Sequence, residues 1–388
     1  MSVDDDRSTS RPAWRDDLDR SIWAWRARKP GAGLAAAGRV LADVGSHEEA
    51  RHVARANATW YAPTLAAWVP GVRFSPLHPT VAPGWSRFNP SIIAAGGRLI
   101  TTVRSSNYRL DDGGGYRIDD PEGVVRTTTY LVELAEDLRP GTVQPIRAGA
   151  PRAPSTFPVH GWEDLRLARI GGRLLALGTV RDLDESGTCT MVVLELSPSG
   201  EVVRETPIAG PVPGRHEKNW VPFDAVTAQG RAAGRAGQLA VVYGWDPLVV
   251  GWIDVERGHW TEVERRSSPI PGAGMRGGTQ GVAVPGGVLF VVHDQVWLDG
   301  STRRYPHRFV LLGDDGTFRS SPPFFFLRHG IEFAAGLATV GDRLVISFGV
   351  EDAEAWLATV DATAVLVRLI PVPESFSTMS PSRSASDA

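Results

Sequence analysis

Charged and aromatic side chains collect at matching places along this sequence. They stand in Arg87-Phe88-Asn89-Pro90-Ser91, in His160-Gly161-Trp162-Glu163-Asp164-Leu165-Arg166 and in His216-Glu217-Lys218-Asn219-Trp220. Two later phrases, Arg276-Gly277-Gly278-Thr279-Gln280 and His329-Gly330-Ile331-Glu332-Phe333, have the same character. The carboxylates Glu163, Asp164, Glu217 and Glu332 are able to give and take protons once a pocket separates their pKa values, as cleavage of a glycosidic bond requires. Arg104, Arg166, Lys218 and Arg276 supply positive charge for a phosphate or an acidic sugar. Trp162, Trp220, Trp245 and Tyr305 offer flat apolar faces for the C–H faces of sugar rings, with polar handles at the edge. Asn89, Asn219, Gln280, Asp246, His293 and His307 complete the candidate binding set. Carbohydrate is the substrate class that draws on all of these groups together. Each residue taken singly is equally well read as a structural ion pair or a packed aromatic; their repetition is what points to a site.

Other chemistries find less support. His293-Asp294 and His307-Arg308 lack helical i, i+4 spacing and no His-Glu-x-x-His pattern occurs, so no metal is expected. The run Asp112-Gly113-Gly114-Gly115 has neither the lysine nor the strand-to-helix setting of a phosphate loop and reads as a rim loop. No Gly-x-Ser-x-Gly supports a serine nucleophile. No cofactor is expected beyond phosphate or a sugar phosphate as co-substrate. Cys189 is the sole cysteine, which excludes an intrachain disulfide and any C-x-x-C pattern. A net charge of −3 gives no global basic field for nucleic acid. The acidic start Met1-Ser2-Val3-Asp4-Asp5-Asp6 has no apolar leader, and no run of about 18 apolar residues follows. The expectation is a cytoplasmic protein with no membrane insertion.

Something must bring those scattered phrases to one place. Of 388 residues, 42 are glycine and 29 proline, which implies many tight turns, and 42% hydrophobic content is enough for a core. A turn-plus-strand phrase recurs as Gly96-Gly97-Arg98-Leu99-Ile100, Gly171-Gly172-Arg173-Leu174-Leu175, Gly237-Gln238-Leu239-Ala240-Val241, Gly286-Gly287-Val288-Leu289-Phe290 and Gly341-Asp342-Arg343-Leu344-Val345. Its leucines are spaced by 75, 65, 50 and 55 residues. A strand precedes each turn and two follow, which describes the blades of an all-β, five-bladed β-propeller. In that fold the innermost strands line a channel, so polar residues at their starts converge on one mouth. The segment 1–80 reads instead as a helical cap and extended linker: apolar spacing predicts helices over 16–28 and 33–44, and Ser46 with Glu49 forms a capping box. The propeller is expected over 85–372 and a disordered, serine-rich tail over 373–388.

On Phe88-Asn89-Pro90-Ser91-Ile92, Trp162-Glu163-Asp164-Leu165-Arg166 and the five-blade phrase, residues 85 to about 370 resemble glycoside hydrolase family 130. This family contains inverting β-mannoside phosphorylases and hydrolases, with mannosyltransferase-phosphorylases as relatives. The resemblance implies cleavage or formation of a glycosidic bond with inversion. The family's Glu-Asp-Pro-Arg places its general acid at Asp164, with Leu165 departing from the proline. Glu163 and Arg166 would hold that acid, and Lys218 with Arg104 or Arg276 would bind phosphate. In a hydrolytic version Glu332 or Glu217 would activate water. The alternatives are a glycosyltransferase using a sugar phosphate or nucleotide sugar, a non-catalytic glycan-binding or assembly propeller, and an enzyme for a non-sugar metabolite.

Overall fold

The computed structural model describes residues 58–111, 115–148, 156–183, 185–223, 238–267, 275–298 and 302–372, together with Arg20, Ala36 and Arg39. Those three residues are helical; the remainder of the expected N-terminal helices, and the tail, lie outside the described residues.

The chain forms five antiparallel sheets arranged as propeller blades. From the axis outward, blade one consists of Ser86–Ala95, Arg98–Ser106, Val125–Leu134 and Pro140–Pro145. Blade two consists of Glu163–Ile170, Arg173–Val180, Thr190–Leu196 and Glu201–Pro207. Blade three follows with Val221–Phe223, Gln238–Trp245, Leu248–Asp254 and His259–Arg266. Blade four has an interrupted inner edge, Met275–Arg276 and Val282–Val284, on Gly287–Asp294, then His307–Gly313 and Phe318–Ser320. Blade five contains Glu332–Val340, Arg343–Val350 and Glu354–Asp361.

Its outermost strand comes from the other end of the sequence. Arg73–Pro76 pairs with blade five, Arg73 opposite Thr359 and Pro76 opposite Trp356. The ring is thereby closed by residues expected to form only a linker. A short helix just before it, Leu65–Trp68, sends Leu65 into the core between blades four and five, and Val69 follows it there.

The core is divided into five apolar clusters, one between each pair of neighbouring blades. Strand periodicity produces this division, because alternate side chains leave opposite faces of a sheet. In Gly287–Asp294, Leu289 and Val291 face blade five while Val288, Phe290 and Val292 face blade three. The Gly96-Gly97 and Gly171-Gly172 turns hold both residues at positive φ, which suits two-residue hairpins.

Candidate active site

The inner strands are irregular where they begin. A bulge falls between Phe88 and Ser91 in blade one and another between Glu163 and Arg166 in blade two. The bulged residues Asn89 and Asp164 adopt φ of 46° and 52°. Asn219, just before the inner strand of blade three, adopts 63°, and Asp352, in the blade-five turn after Val350, adopts 48°. Asn and Asp tolerate this left-handed conformation better than other side-chain-bearing residues, and a bulge redirects the side chain it carries.

These residues meet at the axis, in a cavity of about 410 Å³. Of the residues expected from sequence, Asn89, Arg104, Glu163, Asp164, Lys218, Asn219, Arg276, His293 and Tyr305 line it. Asp164 Oδ1 accepts a hydrogen bond from Asn89 Nδ2 at 2.9 Å and one from Arg104 Nη1 at 3.1 Å. Glu163 Oε2 accepts from Lys218 Nζ at 3.1 Å and lies 3.8 Å from Arg104 Nη1. Arg166 is buried behind this group. It donates to the Asp164 carbonyl at 3.2 Å, to Asn219 Oδ1 at 3.1 Å and to the Gly278 carbonyl at 2.6 Å, tying blades two, three and four together.

The site's electrostatics follow from that packing. Burial pushes the Asp164 carboxyl up, but Arg104, the Asn89 hydrogen bond, Arg166 and Lys218 outweigh it, so the group sits below the usual aspartate range. Lys218 is raised: burial opposes its charge, and Glu163, with Cys189 and Asp164, more than compensates. Burial, helped by Arg166 and Arg276, depresses His293 to about 3, so its ring is neutral near pH 7. Burial lifts Asp352 to about 6 against Arg104.

Tyr108, Gln295, Arg303 and Phe333 in the cavity wall were not among the candidate site residues. Arg181 and Asp352, polar residues that follow second strands of the repeat and so were legible in the sequence, line it too. Tyr108 Oη donates to Asp352 Oδ2 at 3.1 Å across the mouth. Tyr108 belongs to a small hairpin, Tyr108–Leu110 with Tyr116–Ile118, for which the repeat has no counterpart.

The remaining expected residues lie elsewhere, engaged in structure. Glu332 is fully buried, and its carboxylate accepts from the amides of Phe326, Leu327 and Arg328 at 2.6, 2.9 and 3.1 Å, which staples a loop. Gln280 binds across the channel to the carbonyls of Ile92 and Leu337 and accepts from Leu337 N–H. It lines a separate hollow at the far end of the inner strands. His307 is buried, with Nε2 accepting from Ala334 N–H at 3.2 Å and its ring against Phe326. Trp162 and Trp220 are core residues, their indoles donating to Glu205 and Glu217 at 2.9 and 3.1 Å. Glu217 and Asp246 line a hollow beside the axial cavity. Among the described residues, no group of three or more His, Cys, Asp or Glu is placed to hold a metal. Nor is any described helix long and apolar enough to cross a membrane.

The five-bladed propeller fold is the one found in mannoside phosphorylases and hydrolases. The chain is similar to the β-1,2-mannobiose phosphorylase of Listeria innocua, with a TM-score of 0.51 and 12% identity over 75% of this chain and 95% of that one. It is similar to a hydrolase from the mannoside phosphorylase family GH130, described as targeting β-1,2 mannosidic linkages in Candida mannan. That match has a TM-score of 0.54 and 14% identity over 78% and 97% of the two chains. A glycosyl hydrolase from Bacteroides ovatus matches with a TM-score of 0.50 and 15% identity over 74% and 87%. No family model matches the sequence, and no curated protein matches it either.

Proposed function

We propose that the protein is an intracellular carbohydrate-active enzyme that cleaves a β-mannoside with inversion, using phosphate as the attacking group. The observation that carries this reading is the charge balance around Asp164. Arg104, Arg181, Lys218, Arg276 and Arg303 line the cavity against Glu163, Asp164 and Asp352, leaving positive charge for an anion. The likeness to mannoside phosphorylases and hydrolases suggests the sugar. The unpaired thiol of Cys189 fits a reducing compartment.

In this mechanism the mannosyl ring sits against Asn89, Asp164 and His293. A phosphate oxygen, held by Lys218 with Arg104 or Arg276, attacks the anomeric carbon. The bond from that carbon to the leaving oxygen breaks, and Asp164 delivers a proton to the leaving oxygen, directly or through a sugar hydroxyl. No second carboxylate is required. Unliganded, Asp164 is held in its ionised form mainly by Arg104. A phosphate placed on that guanidinium cancels part of its field and lets Asp164 take up the proton it must donate. Co-substrate binding and arming of the acid are thus one event. Run in reverse, the same site would transfer mannose from its 1-phosphate.

One observation favours hydrolysis as a second reading. Asp352 shares the cavity and burial raises it to about 6, a suitable value for a base that activates water near neutral pH. The two readings separate on phosphate. Incubation with β-1,2-mannobiose is expected to release mannose 1-phosphate only when orthophosphate is present. Phosphate-independent release of free mannose, lost in Asp352→Asn, would install the hydrolytic reading. No turnover of any β-mannoside would leave a binding module.

A further inference from the structure

Beside the axial cavity, between blades three and four, lies a second hollow of about 620 Å³. The two share Lys218, Asn219, Arg276 and Gln295 in their walls. A substrate with its reacting carbon at Asp164 therefore has this second space next to it. Its lining is unusual in charge: Arg215, Lys218, Arg265 and Arg276 face it, against Glu217 and Asp246. Arg265 is already satisfied, held by both carboxylate oxygens of Glu262 at 2.7 and 2.6 Å. Glu217 is also engaged, accepting from Trp220 and from the Tyr243 hydroxyl at 3.2 Å. Arg215 and Arg276, by contrast, have no carboxylate within ion-pair distance among the described residues. The wall also contains Trp245, only 2% exposed, whose indole N–H has no hydrogen-bond partner. A buried donor left unpaired is costly, and a ligand oxygen would satisfy it.

We propose that this hollow is a subsite for an acidic sugar. It receives the part of the substrate beyond the scissile bond and recognises on it a carboxylate or phosphate through Arg215 and Arg276, while Trp245 supplies an indole donor. Naming the occupant as the leaving group rests on the phosphorolytic reading above; the preference for an anion does not. Guanidinium forks match either oxyanion bidentately, so the lining selects acidic over neutral sugars.

The test is calorimetric titration of the full chain with glucuronic acid, glucose 6-phosphate, glucose and inorganic phosphate, repeated on Arg215→Gln and Trp245→Phe. Arg215 is exposed and lines only the second hollow, so its replacement spares both the fold and the axial cavity. At least one acidic sugar is expected to bind tenfold or more tightly than glucose, and Arg215→Gln should erase that margin. Trp245→Phe should weaken the same ligand several-fold in protein that remains folded at the titration temperature. Binding of one acid but not the other supports the subsite and names the group it reads. Equal affinity for glucose and both acids overturns the proposal, as does an acidic-sugar margin that survives Arg215→Gln. Competition by inorganic phosphate that is equal in parent and Arg215→Gln also overturns it, because the acids would then occupy the axial cavity. If acidic-sugar selectivity is found without phosphate-dependent cleavage, the subsite stands and the phosphorolytic reading falls. If cleavage is found without such selectivity, the phosphorolytic reading stands and the subsite falls.

Discussion

The inner strands of this propeller have two unlike ends. At their starts those of blades one and two are bulged, Asn89, Asp164 and Asn219 stand in left-handed conformation, and a charged cavity is enclosed. At their far ends those of blades one, two and five run regularly in pairing, and residues such as Ile93, Leu167, Val282 and Leu337 enclose a smaller, largely apolar hollow with Gln280 in its wall. The same strands thus serve two purposes. Regular pairing satisfies the backbone and holds the ring, and departures from it give up some of that stability to aim polar side chains at a common point.

Substitutions at the two ends should therefore fail differently. The largest effect is expected at Asp164. Asp164→Asn keeps the Asn89 and Arg104 geometry approachable but removes the proton donor, so kcat for phosphorolysis should fall by about 10²–10⁴, with the melting temperature near the parent's. A loss below tenfold would move the acid to another residue. At the same end, Gly277 packs directly on the Asn219 carbonyl, with no room for a methyl group. Gly277→Ala should displace Asn219 and, through it, Arg166, giving roughly a tenfold to hundredfold loss of kcat/KM of the kind that small misplacements cause. Activity within twofold of the parent would show that this scaffold does not set the site.

At the far end, Gln280→Ala strips partners from the Ile92 and Leu337 carbonyls and the Leu337 amide. The cost should appear as about 2–4 kcal/mol of unfolding free energy, with KM of the folded enzyme near the parent's. A changed KM with unchanged stability would return Gln280 to the binding set. The smallest expected effect is the pH dependence of stability. The unfolded chain's histidines take up a proton below about pH 6.5, whereas burial keeps His293 neutral down to about 3 and His307 neutral well below its ordinary value. Stability due to these groups is fully present above pH 6.5 and declines as pH falls toward 3. Melting curves from pH 7 to 4 should show a drop that is shallower in His307→Gln, measured relative to that variant's own value at pH 7.

Much of this architecture is legible in the sequence. Glycine turns are local, and the strands around Leu99, Leu174, Leu239, Leu289 and Leu344 are short, largely apolar runs that follow them, so the blades can be read without knowing their neighbours. The cluster at Asp164 is legible because it recurs in register with the turns. Ring closure is not: Arg73–Pro76 pairs with a strand nearly three hundred residues away, and Pro63, Pro70, Pro76 and Pro79 in and around it suggest a crossing rather than an edge strand. Glu332, Gln280 and His307 mislead for a shared reason. A buried polar residue that satisfies backbone groups looks, in sequence, like one that awaits a ligand, and only the hydrogen-bond partners separate the two. Tyr108 reaches the cavity through an inserted hairpin that the repeat does not describe.

Central to this picture is attack by phosphate at the axial cavity, on the side opposite the leaving group. Proton and phosphorus NMR of a β-1,2-mannobiose reaction, followed from the first turnovers, tests it directly. The expected initial product is α-mannose 1-phosphate, formed in proportion to orthophosphate and at least about a hundredfold more slowly with Asp164→Asn. Initial β-mannose 1-phosphate, or free mannose formed at the same rate without phosphate, would contradict it.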